Sequence, residues 1–215
     1  MDPTTILFDA GNTLVFIDPQ VVLPILQRHG ALRADAASFW KAEVDARIRL
    51  TERIGGEGRD HNDSEIWKEY FGNLFLGCGL PPEKMEEAGK AVVAEHAKSH
   101  IWSHMDPSTP PALRVLEEAG YRMAVVSNAD GRMESLIEGV GIRDFFEFVM
   151  DSEVEGVAKP DPEIFLRAAT RMGADPGECL YVGDLYPVDV LGARGVGMDA
   201  VLMDPMDRMD YPVDR

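Results

Sequence analysis

The sequence predicts an α/β fold: a parallel five-stranded sheet covered by helices on both faces, with an all-helical segment inserted after the first strand. Three observations predict it. Five short apolar runs each stop at a polar residue, helical patterns with apolar residues three or four apart lie between them, and the stretch 18–104 reads as helical throughout. Strand and helix in alternation need crossover connections, and those make neighbouring strands parallel.

Ile6-Leu7-Phe8 opens the series and stops at Asp9-Ala10-Gly11-Asn12, as a strand buried on both faces does where it runs into a loop. The helical insertion follows. Its segments carry Ala37, Trp40, Val44 and Ile48, then Trp67, Tyr70, Phe71, Leu74 and Phe75, then Met85, Val92 and His96. Asn62-Asp63-Ser64 supplies an N-cap for the second segment, and Pro81-Pro82 opens the third. Gly55-Gly56-Glu57-Gly58 is expected as a mobile loop, and Trp40, Trp67 and Phe71 as interior residues of the insertion. An insertion at this point is placed to act as a lid over the site.

Leu113, Leu116 and Ala119 mark the next helix, and Met123-Ala124-Val125-Val126 the second strand, which ends at Ser127-Asn128. Met133, Leu136, Ile137 and Val140 are again helical, before Phe148-Val149-Met150 ends at Asp151-Ser152. Ile164, Phe165, Ala168 and Met172 precede Leu180-Tyr181-Val182, which ends at Gly183-Asp184; Ala200 to Met203 ends at Asp204. The whole is a Rossmann-like parallel core. Residues 1–17 and 105–215 are expected to form it, and 18–104 the helical cap. In such sheets ligands bind outside the carboxyl ends of the strands, where these polar strand ends gather.

Composition narrows the function. Among 215 residues, 21 Lys and Arg face 38 Asp and Glu, a net charge of −17, with 45% hydrophobic residues for a core. Phosphate backbones are bound by clustered Lys and Arg, so neither nucleic acid nor an anionic membrane is an expected partner. Cys78 and Cys179 form no CxxC and no Cys/His ladder, which suits a reducing cytoplasm. No export signal or membrane-length apolar run is visible.

Asp9, Ser127, Lys159, Asp184 and Asp189 are far apart in sequence, and the parallel sheet brings them together. Three carboxylates near one point repel one another by about 4 kcal/mol per pair at 4 Å and an effective dielectric near 20. Such a cluster calls for a cation. Oxygen-only ligands suit Mg²⁺, which shares its coordination with waters and a substrate phosphate. A carboxylate beside it can attack phosphorus to form an aspartyl-phosphate, with a lysine and a serine hydroxyl holding the transferring oxygens.

Four segments in order then resemble the motifs of the haloacid dehalogenase (HAD) superfamily, in the branch with a helical cap after motif one. They are Phe8-Asp9-Ala10-Gly11-Asn12-Thr13-Leu14, Val125-Val126-Ser127-Asn128, Lys159-Pro160-Asp161-Pro162-Glu163-Ile164-Phe165, and Gly183 to Asp189. The resemblance implies a Mg²⁺-dependent hydrolase, phosphatase-like, acting on a small phosphorylated molecule. Asp9 is implied as nucleophile and metal ligand, Ser127 as donor to the phosphoryl group, and Lys159 as charge stabiliser. Thr13, Ser127, Asn128 and Lys159 are the implied substrate-binding set; Asp9, the Gly11 carbonyl, Asp184 and Asp189 are the implied metal-binding set. For Asp189, a helix acid stabilised by the macrodipole is the alternative. The resemblance leaves the substrate and the oligomeric state open.

Gly11 departs from the pattern. Family phosphatases carry there a second Asp, which protonates the leaving alcohol and activates water, a contribution of typically 10²–10⁴-fold. Two alternatives follow: a 2-haloacid dehalogenase, whose halide leaves without a proton, or a HAD-fold binding protein without turnover. The two acids of motif four speak against the metal-free dehalogenases, and no counterpart of the cap lysine of the phosphonate-cleaving branch is present.

Two further patterns in the insertion have structural readings. His96, His100 and His104 recur at i, i+4 and i+8, which a metal site would use. With no HExxH and a position near a helix end, a hinge between cap and core is the expected role. Arg47, Arg49, Arg53 and Arg59 offer a set of anion binders, but the interleaved Glu43, Asp45, Glu52 and Glu57 favour a solvated helix face.

Overall fold

The computed structural model describes residues 3–57, 64–204 and 206–212. It divides into two compact units, Met1–Phe16 with Met105–Arg215, and Ile17–His104.

The first unit holds five strands: β1 (Thr5–Phe8), β2 (Arg122–Ser127), β3 (Val149–Asp151), β4 (Cys179–Gly183) and β5 (Asp199–Leu202). All pair in parallel, in the order β3-β2-β1-β4-β5. β1 is central, and each of its residues is buried, because crossover helices cover both faces. Every apolar run noted above is one of these strands, displaced by at most one or two residues. The register pairs Phe8 with Val125 and with Val182, so the chain leaves β1, β2 and β4 at one level of the sheet. Asp9, Ser127 and Asp184 therefore lie at neighbouring strand ends.

Helices α5 (Thr109–Glu118), α6 (Met133–Gly139), α7 (Ser152–Glu155), α8 (Pro162–Met172) and α9 (Leu191–Gly195) complete this unit. α8 has capping at both ends: Asp161 accepts from Glu163 N at 2.9 Å, Pro162 occupies the first turn, and Gly173 ends the helix at φ 63°. Its buried face, Ile164, Phe165, Ala168 and Met172, is the apolar pattern read in the sequence. Phe165 packs edge-on against Tyr181 of β4, ring centroids 5.2 Å apart.

Asp151, at the polar end of β3, does not take part in the ion cluster described below. Its Oδ2 accepts from Gly131 N at 2.9 Å and Met133 N at 3.1 Å, and its Oδ1 from Glu153 N at 3.0 Å. One buried carboxylate thus ties the starts of α6 and α7 to the sheet. Asp151→Ala strands three donors, and is expected to destabilise the protein by about 3 kcal/mol or more; Asp151→Asn is expected to lose less. Urea denaturation of both variants measures the difference.

The second unit is helical: α1 (Pro19–Arg28), α2 (Ala36–Glu57), α3 (Ser64–Gly77) and α4 (Met85–Lys98), the last preceded by a 3₁₀ turn, Pro82–Lys84. Asp18 caps α1 by accepting from Gln20 N at 2.7 Å. α2 lies close to α3. A Cβ on Gly77 would come within 2.6 Å of the Ala42 Cβ, so glycine there permits the approach.

Three expectations are corrected in this unit. Residues 55–57 belong to no loop: α2 runs on to Glu57, carried by a buried face that includes Phe39, Ala46, Leu50 and Ile54. Gly58, Arg59, Asn62 and Asp63 lie outside the described residues. Arg47 and Glu43 are not on a solvated face; both side chains are buried, with Arg47 Nε 3.4 Å from Glu43 Oε1 and the Tyr70 hydroxyl donating to the same oxygen at 3.2 Å. Pairing makes such burial tolerable, although desolvation still raises the Glu43 carboxyl above its ordinary range. Finally, α4 stops at Lys98, because Ser99 turns extended at φ −143°, so the three histidines do not share a helix face. His96 and His100 are neighbours across the turn, rings 4.5 Å apart, while His104 packs on Trp40. Trp67 and Phe71 gather around Trp102, half-buried in an aromatic cluster.

Among the described residues, no helix is long and apolar enough to cross a membrane. Both cysteines are buried thiols.

Candidate active site

β1 delivers Asp9 because its backbone N–H still donates to Val182 O at 2.8 Å, one step past the strand. The chain then folds sharply: the amides of Thr13, Leu14 and Val15 all converge on Ala10 O, at 3.3, 2.9 and 3.0 Å. Asn12 supplies the left-handed residue of this turn, at φ 55°, whereas Gly11 is not among the positive-φ residues. Asparagine tolerates that conformation better than most side chains. Gly11 itself is half-buried and bridged to Val15. Thr13 Oγ1 makes a long contact, 3.5 Å, to Asp9 Oδ2.

Lys159 sits at the centre of the cluster. Its Nζ donates to Asp9 Oδ1 at 2.6 Å and to Asp189 Oδ1 at 2.7 Å, with the Tyr181 ring 5.3 Å away. Asp9, Asp184 and Asp189 offer carboxylate oxygens within 4.8 Å of one another. Lys159 is 2% exposed, and the three acids 6%, 3% and 1%. Three carboxylates and one ammonium leave this dry cluster two negative charges in excess, which a divalent cation would neutralise. Such burial without a counter-charge is expensive.

The electrostatics carry that signature. Burial, against the pull of the Lys159 ammonium and aided by Asp189, pushes the Asp9 carboxyl up to about 6. Burial would lower Lys159, but Asp189 and Asp9 outweigh it and hold the ammonium well above its ordinary value. Folded Asp9 thus binds a proton more tightly than an unfolded aspartate at 3.8. In metal-free protein the contribution of Asp9 to stability should therefore grow as pH falls, beginning near pH 6 and complete below about pH 4. At about 1.4 kcal/mol per unit the full gain is about 3 kcal/mol. Denaturation of the wild type and Asp9→Asn in EDTA between pH 7.5 and 3.5 isolates it, since only the wild type should show this component.

Asp189, expected as a metal ligand, has both oxygens engaged, Oδ1 by Lys159 and Oδ2 by Leu185 N at 2.9 Å. A Cβ on Gly183 would lie 2.6 Å from Asp189 Oδ2, so only glycine at the end of β4 leaves room for that carboxylate. Asp189 lies in a π-helical turn, Tyr186–Val190, not in the first turn of an α-helix. Asp184 is brought beside Asp9 and Asp189 at the mouth of β4.

Ser127 ends β2, is buried, and makes no side-chain hydrogen bond among the described residues. Asn128 has a structural task that its sequence neighbourhood did not announce. Its Oδ1 accepts from Lys159 N at 2.8 Å and its Nδ2 donates to Lys159 O at 2.9 Å, so the amide clamps the lysine backbone on both sides. The sequence marks Tyr181 only as part of a strand; its hydroxyl donates to Val126 O at 2.8 Å, and its ring lies beside the lysine ammonium. Alternation in β4 could have placed Tyr181 on the face of the lysine, but nothing local in the sequence marks the Asn128 clamp.

Fold and site together describe a Rossmann-like α/β enzyme with an acidic, lysine-centred site at the carboxyl ends of its strands. A family model for haloacid dehalogenase-like hydrolases matches residues 3–197, and the chain belongs to that family. It is 33% identical over 220 residues to a glyceraldehyde 3-phosphate phosphatase of Methanopyrus kandleri, covering 96% of this chain and 90% of that protein. It is 41% identical over 185 residues to haloacid dehalogenase-like hydrolase domain-containing protein 3 of Bos taurus, covering 83% of this chain and 73% of the relative. The match to the mouse protein of that name spans 63% of its length. The solved HAD phosphatase of Thermococcus onnurineus is similar over all of this chain and 91% of its own, at TM-score 0.61 and 27% identity.

Proposed function

We propose that this HAD-family hydrolase is a Mg²⁺-dependent phosphatase of a small phosphorylated metabolite, acting through an aspartyl-phosphate on Asp9. The observation that carries the reading is the buried cluster of Asp9, Asp184, Asp189 and Lys159, with its two excess negative charges. These donors fit a hard divalent cation, because all are oxygens and the lysine cannot neutralise three acids. Asp9 and Asp184 would hold it, with the Gly11 carbonyl, and Asp189 supports them from behind Lys159. When bound, Mg²⁺ offsets charge on the phosphoryl oxygens.

The chain's own groups perform the transfer. An Asp9 carboxylate oxygen attacks phosphorus, the bond to the leaving oxygen breaks, and the departing alkoxide takes a proton from water or from the substrate's surroundings. Water then attacks the acyl-phosphate, releasing inorganic phosphate and restoring the carboxylate. Lys159 balances the charge on Asp9 and on the transferring group, and the Ser127 hydroxyl, uncommitted among the described residues, donates to a phosphoryl oxygen. Residues 17–104 act as the cap that selects the substrate. The name of the Methanopyrus kandleri relative makes glyceraldehyde 3-phosphate the first substrate to test.

A panel on one purified sample tests this: phosphate release from glyceraldehyde 3-phosphate and from an aryl phosphate, and halide release from a 2-haloacid, each with Mg²⁺ and with EDTA. Phosphate release that requires Mg²⁺ is the expected result. Halide release in EDTA would replace the phosphatase with a dehalogenase, and no release at all would leave a binding protein.

A further inference from the structure

The loop that carries Asp184 and Asp189 has little regular structure of its own. It leaves β4, passes Leu185, and closes as one π-helical turn, Tyr186–Val190, before α9. Wide turns of this kind are less favourable than α-helix and persist where tertiary contacts hold them. Asp189 is fixed from inside by Lys159 and Leu185 N, but the outer side of the turn begins with Tyr186, half-buried.

The segment after β5 fastens that outer side. Met203 N donates to Gly183 O at 2.7 Å, so the segment starts at the root of the loop. Asp204 is buried and accepts from Met209 N at 2.7 Å, and Asp207 N closes a turn on Asp204 O at 3.0 Å with Asp207 at φ 49°. Met209 is thereby drawn into the core. Two residues later the Tyr211 ring lies flat on Tyr186, centroids 4.2 Å apart and planes 5° from parallel. Arg194 of α9 donates to Pro212 O at 3.3 Å, fastening the far side. Contacts at Gly183, Tyr186 and Arg194 thus span the whole acid-bearing loop.

We propose that Tyr211 is a positioning residue for the cation site: stacked on Tyr186, it braces the turn that sets Asp184 and the Asp189 that orients Lys159, and so sets the affinity for a divalent cation. The cation part rests on the function proposed above; the bracing of the turn does not.

Tyr211→Ala and Tyr211→Phe, each in the full chain, test it by two measurements. Calorimetric titration of Mg²⁺ into metal-free protein reads the affinity. Amide hydrogen exchange reads protection at Leu185, Val188 and Asp189, whose N–H groups close the loop. Tyr211→Ala should weaken Mg²⁺ binding roughly threefold to tenfold, the range one aromatic stack supplies, and speed exchange at the three amides. Tyr211→Phe keeps the stacking face and should restore both. Wild-type affinity and wild-type exchange in Tyr211→Ala, whatever its melting temperature, would overturn the proposal. Should the wild type bind no Mg²⁺, the phosphatase reading fails, and exchange alone decides the brace.

Discussion

Asp9→Asn should remove phosphatase turnover, by on the order of 10⁴-fold or more, while leaving a folded and more stable metal-free protein. The two halves of this expectation have one cause. In the proposed reaction the carboxylate is the nucleophile, and an amide cannot form the acyl-phosphate. The same carboxylate is also the desolvated partner whose pKa rises to about 6, so at neutral pH its charge opposes folding. Asparagine keeps the shape and removes the charge, and relieves repulsion with Asp184 and Asp189. Kinetics paired with thermal denaturation in EDTA distinguishes this from simple unfolding, which would lower activity and melting temperature together. In the wild type, acid quench during turnover followed by mass spectrometry should locate a phosphoryl group on Asp9. Undiminished phosphate release by Asp9→Asn would eliminate Asp9 as nucleophile.

Gly11→Asp should raise kcat/KM on alkyl phosphates by as much as 10²–10⁴-fold, with a much smaller change on aryl phosphates. An alkoxide leaves poorly unless it receives a proton in the transition state, and a phenoxide needs none. The loop backbone permits the substitution, since the left-handed residue is Asn12 at φ 55° and not Gly11. The readout is the ratio of alkyl to aryl kcat/KM in variant and wild type. An unchanged ratio in a folded, Mg²⁺-binding variant would show that the proton comes from elsewhere or that the natural leaving group needs none.

How much of this was legible beforehand differs between the sheet, the helical unit and the site. The strands were readable because a strand buried on both faces must be apolar along its whole length, and each run ends where the chain meets solvent or ligand. α8 was readable from its own apolar spacing, Ile164, Phe165, Ala168 and Met172 three or four apart, which is its buried face. The helical unit was read less well. The charged residues of α2 alternate in sign in a way that suits a solvated face, yet Glu43 and Arg47 are buried as a pair beneath α3, whose Tyr70 donates to Glu43. The histidine spacing implied one helix through residue 104, but the break at Ser99 follows from no strong local signal.

Within the site, the sequence by itself determined the chemistry on offer: one aspartate past the central strand, a serine past its neighbour, a lysine before a capped helix, and two acids in a glycine-led loop. Those follow from residue type and order, which survive without coordinates. Only the tertiary structure decided how the groups divide their tasks. Asn128 clamps the Lys159 backbone, Asp189 orients the lysine ammonium, and Asp151, another polar strand end, caps two helices instead of joining the ion cluster. Hydrogen bonds across 20 to 31 residues in sequence depend on side-chain direction and on distances of a few tenths of an ångström, which strand packing sets and one-dimensional pattern does not record.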